Sequence, residues 1–404
     1  MALGAGLRSA GHAVRLATHE GFRDLIVEHG IEFAPVTHPP TALVADPLWR
    51  RWQQSGDRFD RYIAQLWHIA EAARPLLETM LDDFWAACQD ADAVIASASG
   101  FGSPLMARAL GAGHSWALLQ PMSRTRQFPH FMTPGRLRLP EALRYETYKV
   151  ADQVYWRVFR SAVSAWSERN LGTPVTSKPD PGGFLARIPP PTFYGISGHV
   201  VPRPSDWSAD IHMHGFWFLE PHVPWEPAAE LMRFLDDGPV PVYVALSRIN
   251  VRPPERLLDT VVEALRRCGQ RGLLSIEGSP GPDLPPTVMA VRWVPHHWLF
   301  RRVAAVVHHG GAGTTASALR AGVPSLGVPS FFDQPFWSRR IVDLGVGVDA
   351  IPARALTADR LAASIAQLTR DADLRKRARS LACLIRQEHG VQATVAGLEH
   401  HFAS

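Results

Sequence analysis

The residues best suited to chemistry lie in one run, His308-His309-Gly310-Gly311-Ala312-Gly313-Thr314-Thr315. An apolar segment with the look of a buried strand, 303–307, leads into it. A helix comes next, expected to stop at Gly322 with Pro324 just beyond. Such a turn suits a diphosphate. Gly310, Gly311 and Gly313 let the backbone approach a ligand closely and permit positive φ. The N–H groups at a helix start, with the dipole behind them, favour an anion. Thr314 and Thr315 can cap the helix or offer hydroxyls to phosphate. His309 can donate a hydrogen bond or, protonated, a charge. The same residues also make an ordinary strand-to-helix corner with a threonine cap and no ligand, so the motif needs its context.

Two flanks supply context. In SFFDQPFWSRR (330–340), Asp333 and Gln334 follow the next strand at the sheet's carboxyl edge. A carboxylate beside an amide makes a clamp for vicinal sugar hydroxyls; alternatively Asp333 only caps the next helix. In RWVPHHWLF (292–300), Trp293 precedes a turn and could stack on a planar base. With 13 tryptophans in the chain, a core position is the competing reading.

These residues must be positioned by strands and helices in alternation. Short apolar runs recur at 13–18, 92–97, 114–120, 240–246, 272–277, 303–307 and 324–329. Helical segments at 101–111, 254–268, 313–321 and 357–368 separate several of them. Buried strands alternating with helices imply an α/β fold with parallel sheets covered on both faces. Residues 172–206 and 220–227 differ, being rich in Pro and Gly, and are expected to hold neither helix nor central strand. A domain boundary near 205–225 leaves two halves, each large enough for its own core.

Composition sets the outer limits. With 404 residues, 46% apolar and 20% charged, the chain fits a globular protein of two large domains. No apolar run is long enough to span a membrane, and no secretory leader is evident. Cys88, Cys268 and Cys383 are far apart, which excludes a disulfide framework and fits a reducing compartment. The 42 basic and 38 acidic residues give +4, too balanced and too scattered for a nucleic-acid protein. Only three of the basic residues are lysines.

The block 293–347, WVPHHWLFRRVAAVVHHGGAGTTASALRAGVPSLGVPSFFDQPFWSRRIVDLGVG, resembles family 1 glycosyltransferases nearly throughout. The likeness is to the bacterial and fungal sterol, lipid and antibiotic enzymes of GT-B fold. LLQPMSRTRQFPH (118–130), TFYGISGHVVPRPSDW (192–207) and HMHGFWFL (212–219) resemble that group too. The resemblance implies two Rossmann-like domains facing across a cleft. Residues 1–205 would bind the acceptor, 206–225 would link, and 226–385 would bind the donor. A C-terminal helix, 386–404, would pack back toward the first domain. It also implies roles for the donor site. Trp293 would stack on the base, and His309, Gly311 and Thr314 would hold the diphosphate, with Gly313 and Thr315 beside them. Asp333 and Gln334 would hold sugar hydroxyls.

The chain departs from that family in two places. The family opens with a strand and a Gly-rich turn that carries the general base, an Asp or His. Here MALGAGLRSAGHAV matches the segment after that turn, so the base is expected upstream of Met1, and His12 corresponds to a structural Gly-His turn. The family's Gly-Phe-Gly-Ser turn reads Ala245-Leu246-Ser247-Arg248, where Arg248 either contacts phosphate or blocks the pocket. His297 also stands where an Asp is usual.

The expected activity is inverting sugar transfer from a UDP- or dTDP-sugar co-substrate to a hydroxyl of a sterol, lipid or secondary-metabolite aglycone. Neither cofactor nor metal is expected. Asp90-Ala-Asp92 and Asp371-Ala-Asp373 read as capping or solvated charges, and the pairs His212/His214, His296/His297 and His400/His401 lack a third ligand. The expected location is cytoplasmic. Arg and aromatic residues near 124–166 suit peripheral membrane contact. Segments 84–105 and 146–166 line an apolar acceptor pocket or form ordinary core. A catalytically impaired partner protein and a nucleotide-sugar epimerase are the alternatives.

Overall fold

The alternation read from the sequence is realised as two parallel α/β layers. The computed structural model describes residues 1–38, 59–134, 137, 139–173, 175, 191–221, 225–246, 254–275 and 284–403. The first half runs α1 (Ala2–Ser9), β1 (Arg15–His19), α2 (Arg23–Glu28), β2 (Glu32–Val36), α3 (Phe59–Cys88) and β3 (Ala93–Ala96). It continues with α4 (Ser103–Leu110), β4 (Gly113–Leu118), α5 (Glu141–Leu171), β5 (Thr192–Tyr194) and β6 (Ile211–Met213). The second half runs α6 (Ala229–Asp236), β7 (Val242–Ala245), α7 (Pro254–Cys268), β8 (Gly272–Ser275), β9 (Val288–Val291) and α8 (His296–Leu299). Then come β10 (Ala305–His308), α9 (Ala312–Ala321), β11 (Ser325–Gly327), α10 (Gln334–Asp343), α11 (Ala358–Arg370), α12 (Ala372–Ile385) and α13 (Gly390–Phe402).

The second half has the sheet order β11-β10-β7-β8-β9, all parallel. Strands β7, β8, β10 and β11 are largely buried on both faces, which is why they read as unbroken apolar runs, whereas edge strand β9 is buried only at Val288. Helix α7 shows how sequence becomes packing. Leu257, Leu258, Val261, Ala264, Leu265 and Cys268 fall on one face and pack on Val242, Val244 and Val307.

In the first half, β3-β4-β5-β6 form one parallel sheet and β1-β2 another. Among the described residues β1 and β3 pair on one side only. Strand β5 corrects the sequence reading. It lies inside 172–206, yet sits between β4 and β6 as an interior strand. The proline run stops at Pro191 and none falls within the strand, so Thr192–Tyr194 keep their ladder donors, and three residues suffice because both edges are paired. Strand β6, inside the expected linker, likewise belongs to the first sheet.

The last helix returns to the first half. Leu398 and Val395 of α13 pack with Leu3 and Phe193, and His12 bonds Glu399 at 2.9 Å. The two halves also share a core. Trp116, Leu118, Tyr194 and Trp207 cluster with Ala316, Leu319, Trp337 and Ile341. Among the described residues no helix is long and apolar enough to cross a membrane.

Four histidines are folded in as neutral groups. Burial pushes His130 and His308 down to about 3, and His114 and His296 down to about 4; nearby His309 and His297 add to the shift at His296. An unfolded histidine takes its proton near pH 6.5. Between there and pH 3–4 the unfolded chain binds more protons, so stability is lost as pH falls through that window. Thermal melts should drop steadily from pH 7 to pH 5. In denaturant titrations, His130→Phe should flatten that slope by up to about 1.4 kcal/mol per pH unit. A slope unchanged by the substitution would remove His130 as a source.

Candidate functional site

In an open α/β sheet, ligands bind beyond the carboxyl ends of the strands where strand order reverses. Here that point lies between β7 and β10, whose ends Ala245 and His308 are register partners. The run His308–Thr315 leaves the sheet there. Gly311 is the N-cap of α9, and the first helical bond runs from Thr315 N–H to Gly311 O at 3.0 Å. The N–H groups of Ala312, Gly313 and Thr314 therefore precede the helical ladder and are open to an anion. Neither threonine caps the helix, as no side chain bonds at this N-cap. Thr315 is fully buried, so of the two hydroxyls only that of Thr314 has surface for a ligand.

The glycines divide by function. Gly310 has φ of +86°, and a Cβ there would meet Ser338 Oγ and lie 2.8 Å from the carbonyl of Gln334. Its N–H donates to Nδ1 of the buried His308 at 3.1 Å. Gly310 is thus demanded by the fold. A Cβ at Gly311 would lie 2.5 Å from His309 Nε2, so the ring lies close over the loop. A Cβ at Gly313 would meet nothing within 4 Å. Burial holds His309 below its ordinary value, favouring a neutral imidazole that acts by hydrogen bonding.

One strand over, beyond β11, Asp333 and Gln334 are both buried. Asp333 occupies the N-cap position of α10, but its side chain makes no capping bond. Its Oδ2 accepts from Trp337 Nε1 at 3.1 Å and from Gln120 Nε2 at 2.8 Å, the latter reaching across from the first half. Gln334 Oε1 accepts from the N–H of Ser330 at 2.8 Å. The carboxylate and the amide are thus tethered by one oxygen each, with Asp333 Oδ1 and Gln334 Nε2 outside those bonds. Among the described residues Phe332 is the one non-glycine with positive φ, at 56°, a strained conformation just before the pair.

Residues 275–389 match the family described as Erythromycin biosynthesis protein CIII-like, C-terminal domain. A sterol 3-beta-glucosyltransferase of Neosartorya fischeri is 33% identical over 415 residues, covering 98% of this chain. This chain spans 28% of that protein's length. The solved glycotransferase of kitacinnamycin superposes with a TM-score of 0.67 at 21% identity, covering 99% of this chain and 94% of the other. The glycosyltransferase VinC, solved with dTDP, gives 0.65 at 21% identity, covering 99% and 95%. The chain has the GT-B fold of those glycosyltransferases.

Within the GT-B frame the other candidate residues can be assigned. Trp293 is 67% exposed, its ring edge-on to Trp225 at 6.4 Å, so it is not a core tryptophan. Ser247 and Arg248 lie outside the described residues. The proposed acceptor segments 84–105 and 146–166 pack largely on each other. Phe101 stacks on Phe159 at 4.3 Å and Trp85 meets Trp166 at 5.6 Å, around a buried core. Asp371 caps α12 and Asp90 pairs with Arg15. His212 stacks on Phe193, and no group of three metal-ligating side chains occurs among the described residues. Sequence reasoning gave no role to Gln120 or His308. Gln120 stands two residues past β4, at a strand's carboxyl end, which is the signal that points to it.

Two alanine substitutions separate fold from ligand. Gly310→Ala should destabilise the protein by about 1–3 kcal/mol through strain and crowding. Gly313→Ala should leave stability equal or slightly raised, yet weaken nucleoside diphosphate binding, because its Cβ points into open space beside the unpaired N–H groups. Calorimetric melts and UDP titrations read both. Equal UDP affinity in Gly313→Ala would place the diphosphate elsewhere.

Proposed function

We propose that this chain transfers a sugar from a nucleoside diphosphate, UDP or dTDP, to a hydroxyl of a lipophilic acceptor such as a sterol or a related aglycone. The observation that carries the reading is the pairing of two features on adjacent strands. The open helix start with His309 and Thr314 ends β10, and the tethered Asp333–Gln334 pair comes after β11. The first suits the diphosphate, the second the sugar hydroxyls, and exposed Trp293 the base. The names of the relatives, sterol glucosyltransferase and a glycosyltransferase held with dTDP, support the same classes of substrate.

The acceptor oxygen forms a bond to the anomeric carbon as the bond to the diphosphate oxygen breaks, inverting that centre. The acceptor's proton passes to a general base, a step typically worth about 10²–10⁴-fold. Charge building on the leaving diphosphate is met by the N–H groups of Ala312, Gly313 and Thr314, by the α9 dipole and by His309. This arrangement supports transfer that needs no metal ion. A peripheral membrane contact is supported by the outer face of α5, where exposed Leu143 and Val150 sit with exposed Arg157 and Arg160.

Titrating UDP and dTDP into the protein and into His309→Ala tests the donor site. The substitution should weaken binding roughly tenfold, the worth of one hydrogen bond to a charged group. Identical affinities would contradict the role given to His309. Label moving from UDP-glucose to a sterol identifies transfer, whereas an epimerised donor with no acceptor added would identify the other enzyme class.

A further inference from the structure

The two halves are bonded to each other beside Asp333. Gln120, two residues past β4, sends its amide N–H to Asp333 Oδ2 at 2.8 Å. Close by, Phe131 of the first half meets the strained Phe332 edge-on at 5.2 Å. Arg340 of α10 donates to the Val200 carbonyl from Nη2 at 2.6 Å and from Nε at 3.0 Å. Trp337, fully buried, holds the same Asp333 oxygen from the other side while packing on Phe216. One carboxylate oxygen is thus fixed by two donors, one from each half of the molecule.

We propose that Gln120 is a positioning residue for sugar recognition, orienting Asp333 so that its other oxygen meets the sugar only when the two halves are apposed. The proposal rests on reading Asp333–Gln334 as the sugar clamp and adds to it the part played by the opposite half. Its physical basis is direct. A carboxylate as buried as Asp333 is desolvated, and N–H donors offset that cost by favouring its ionised form. An ionised, immobilised carboxylate is the better acceptor for sugar hydroxyls. Removing the Gln120 donor leaves Trp337 alone on that oxygen and breaks the only side-chain link from Asp333 to the first half among the described residues. Donor selection by the second half would then be coupled to acceptor binding by the first, because both need the same closed seam.

The test compares UDP-glucose with UDP, and dTDP-glucose with dTDP, by calorimetry on the full chain. Gln120→Met keeps the side chain's length and removes the donor. It should weaken nucleotide-sugar binding roughly tenfold and leave the free nucleotide within about twofold. Gln120→Glu sets acceptor against acceptor and should weaken the nucleotide sugar further, with the free nucleotide again unmoved. In turnover assays the loss should fall on the donor KM more than on kcat at saturating donor. Three results overturn the proposal. Nucleotide-sugar affinity equal to wild type in Gln120→Met, while Asp333→Ala loses it, removes Gln120 and leaves the clamp. Equal weakening of nucleotide and nucleotide sugar shows a general structural effect. Silence of Asp333→Ala itself removes the sugar clamp, and with it the reading on which Gln120 depends.

Discussion

Everything at the candidate site depends on three backbone N–H groups that the helix cannot satisfy itself. Ala312, Gly313 and Thr314 come before the first bond of α9, at the one place in the second sheet where strand order reverses. To present them, the chain must turn sharply out of β10. Gly310 makes that turn with positive φ, its N–H held by His308 and its Cα face closed by Ser338. The surroundings bear a cost. Among the described residues, His308 Nε2, Thr315 Oγ1 and Ser338 Oγ are buried and find no hydrogen-bond partner, and a buried polar group left so typically costs about 1–3 kcal/mol. Local polar satisfaction is given up around this loop, as is usual where a structure is shaped for a ligand.

The second constraint is the seam. The proposed transfer needs two substrates brought together and water excluded while the bond is exchanged. The halves do more than face each other. They share an aromatic core built from Trp116, Tyr194 and Trp207 on one side and Trp337 on the other. The C-terminal segment adds further links, with Trp217 bonding Thr394 of α13 and Ser197 bonding Glu388 just ahead of it. Burial raises the Glu388 carboxyl, and the Ser197 hydrogen bond opposes that shift. A side chain at this crossing therefore answers to both halves, and Asp333 does the same at the front.

Much of this was legible in residue order, for a physical reason. Strands buried on both faces appear as short apolar runs: β7, β8 and β11 fall within the apolar runs marked in the sequence, and β10 passes the end of its run by one residue, His308. Helix α7 matches its amphipathic period from Pro254 to Cys268. Strands β5 and β6 were hidden because three residues carry no readable period, and their proline-rich surroundings argue against a strand. They exist because the partners on either side complete their ladders. The two threonines show the same limit at finer scale. Adjacent helical residues point about 100° apart, and only the packing of α9 decides that Thr315 turns inward while Thr314 keeps surface.

The sequence alone determined the chemistry available: a glycine turn that opens a helix after a buried strand, a neighbouring carboxylate–amide pair, and a tryptophan ahead of them. Those are properties of residue type and spacing, and they survive without coordinates. Only the tertiary structure decided which glycine serves the backbone and which faces open space. It alone decided that Asp333 binds sideways to Gln120 and Trp337 rather than capping its helix, and that residues more than two hundred positions apart meet in one seam. Such contacts depend on how two separately folded sheets dock, and no local pattern encodes that geometry.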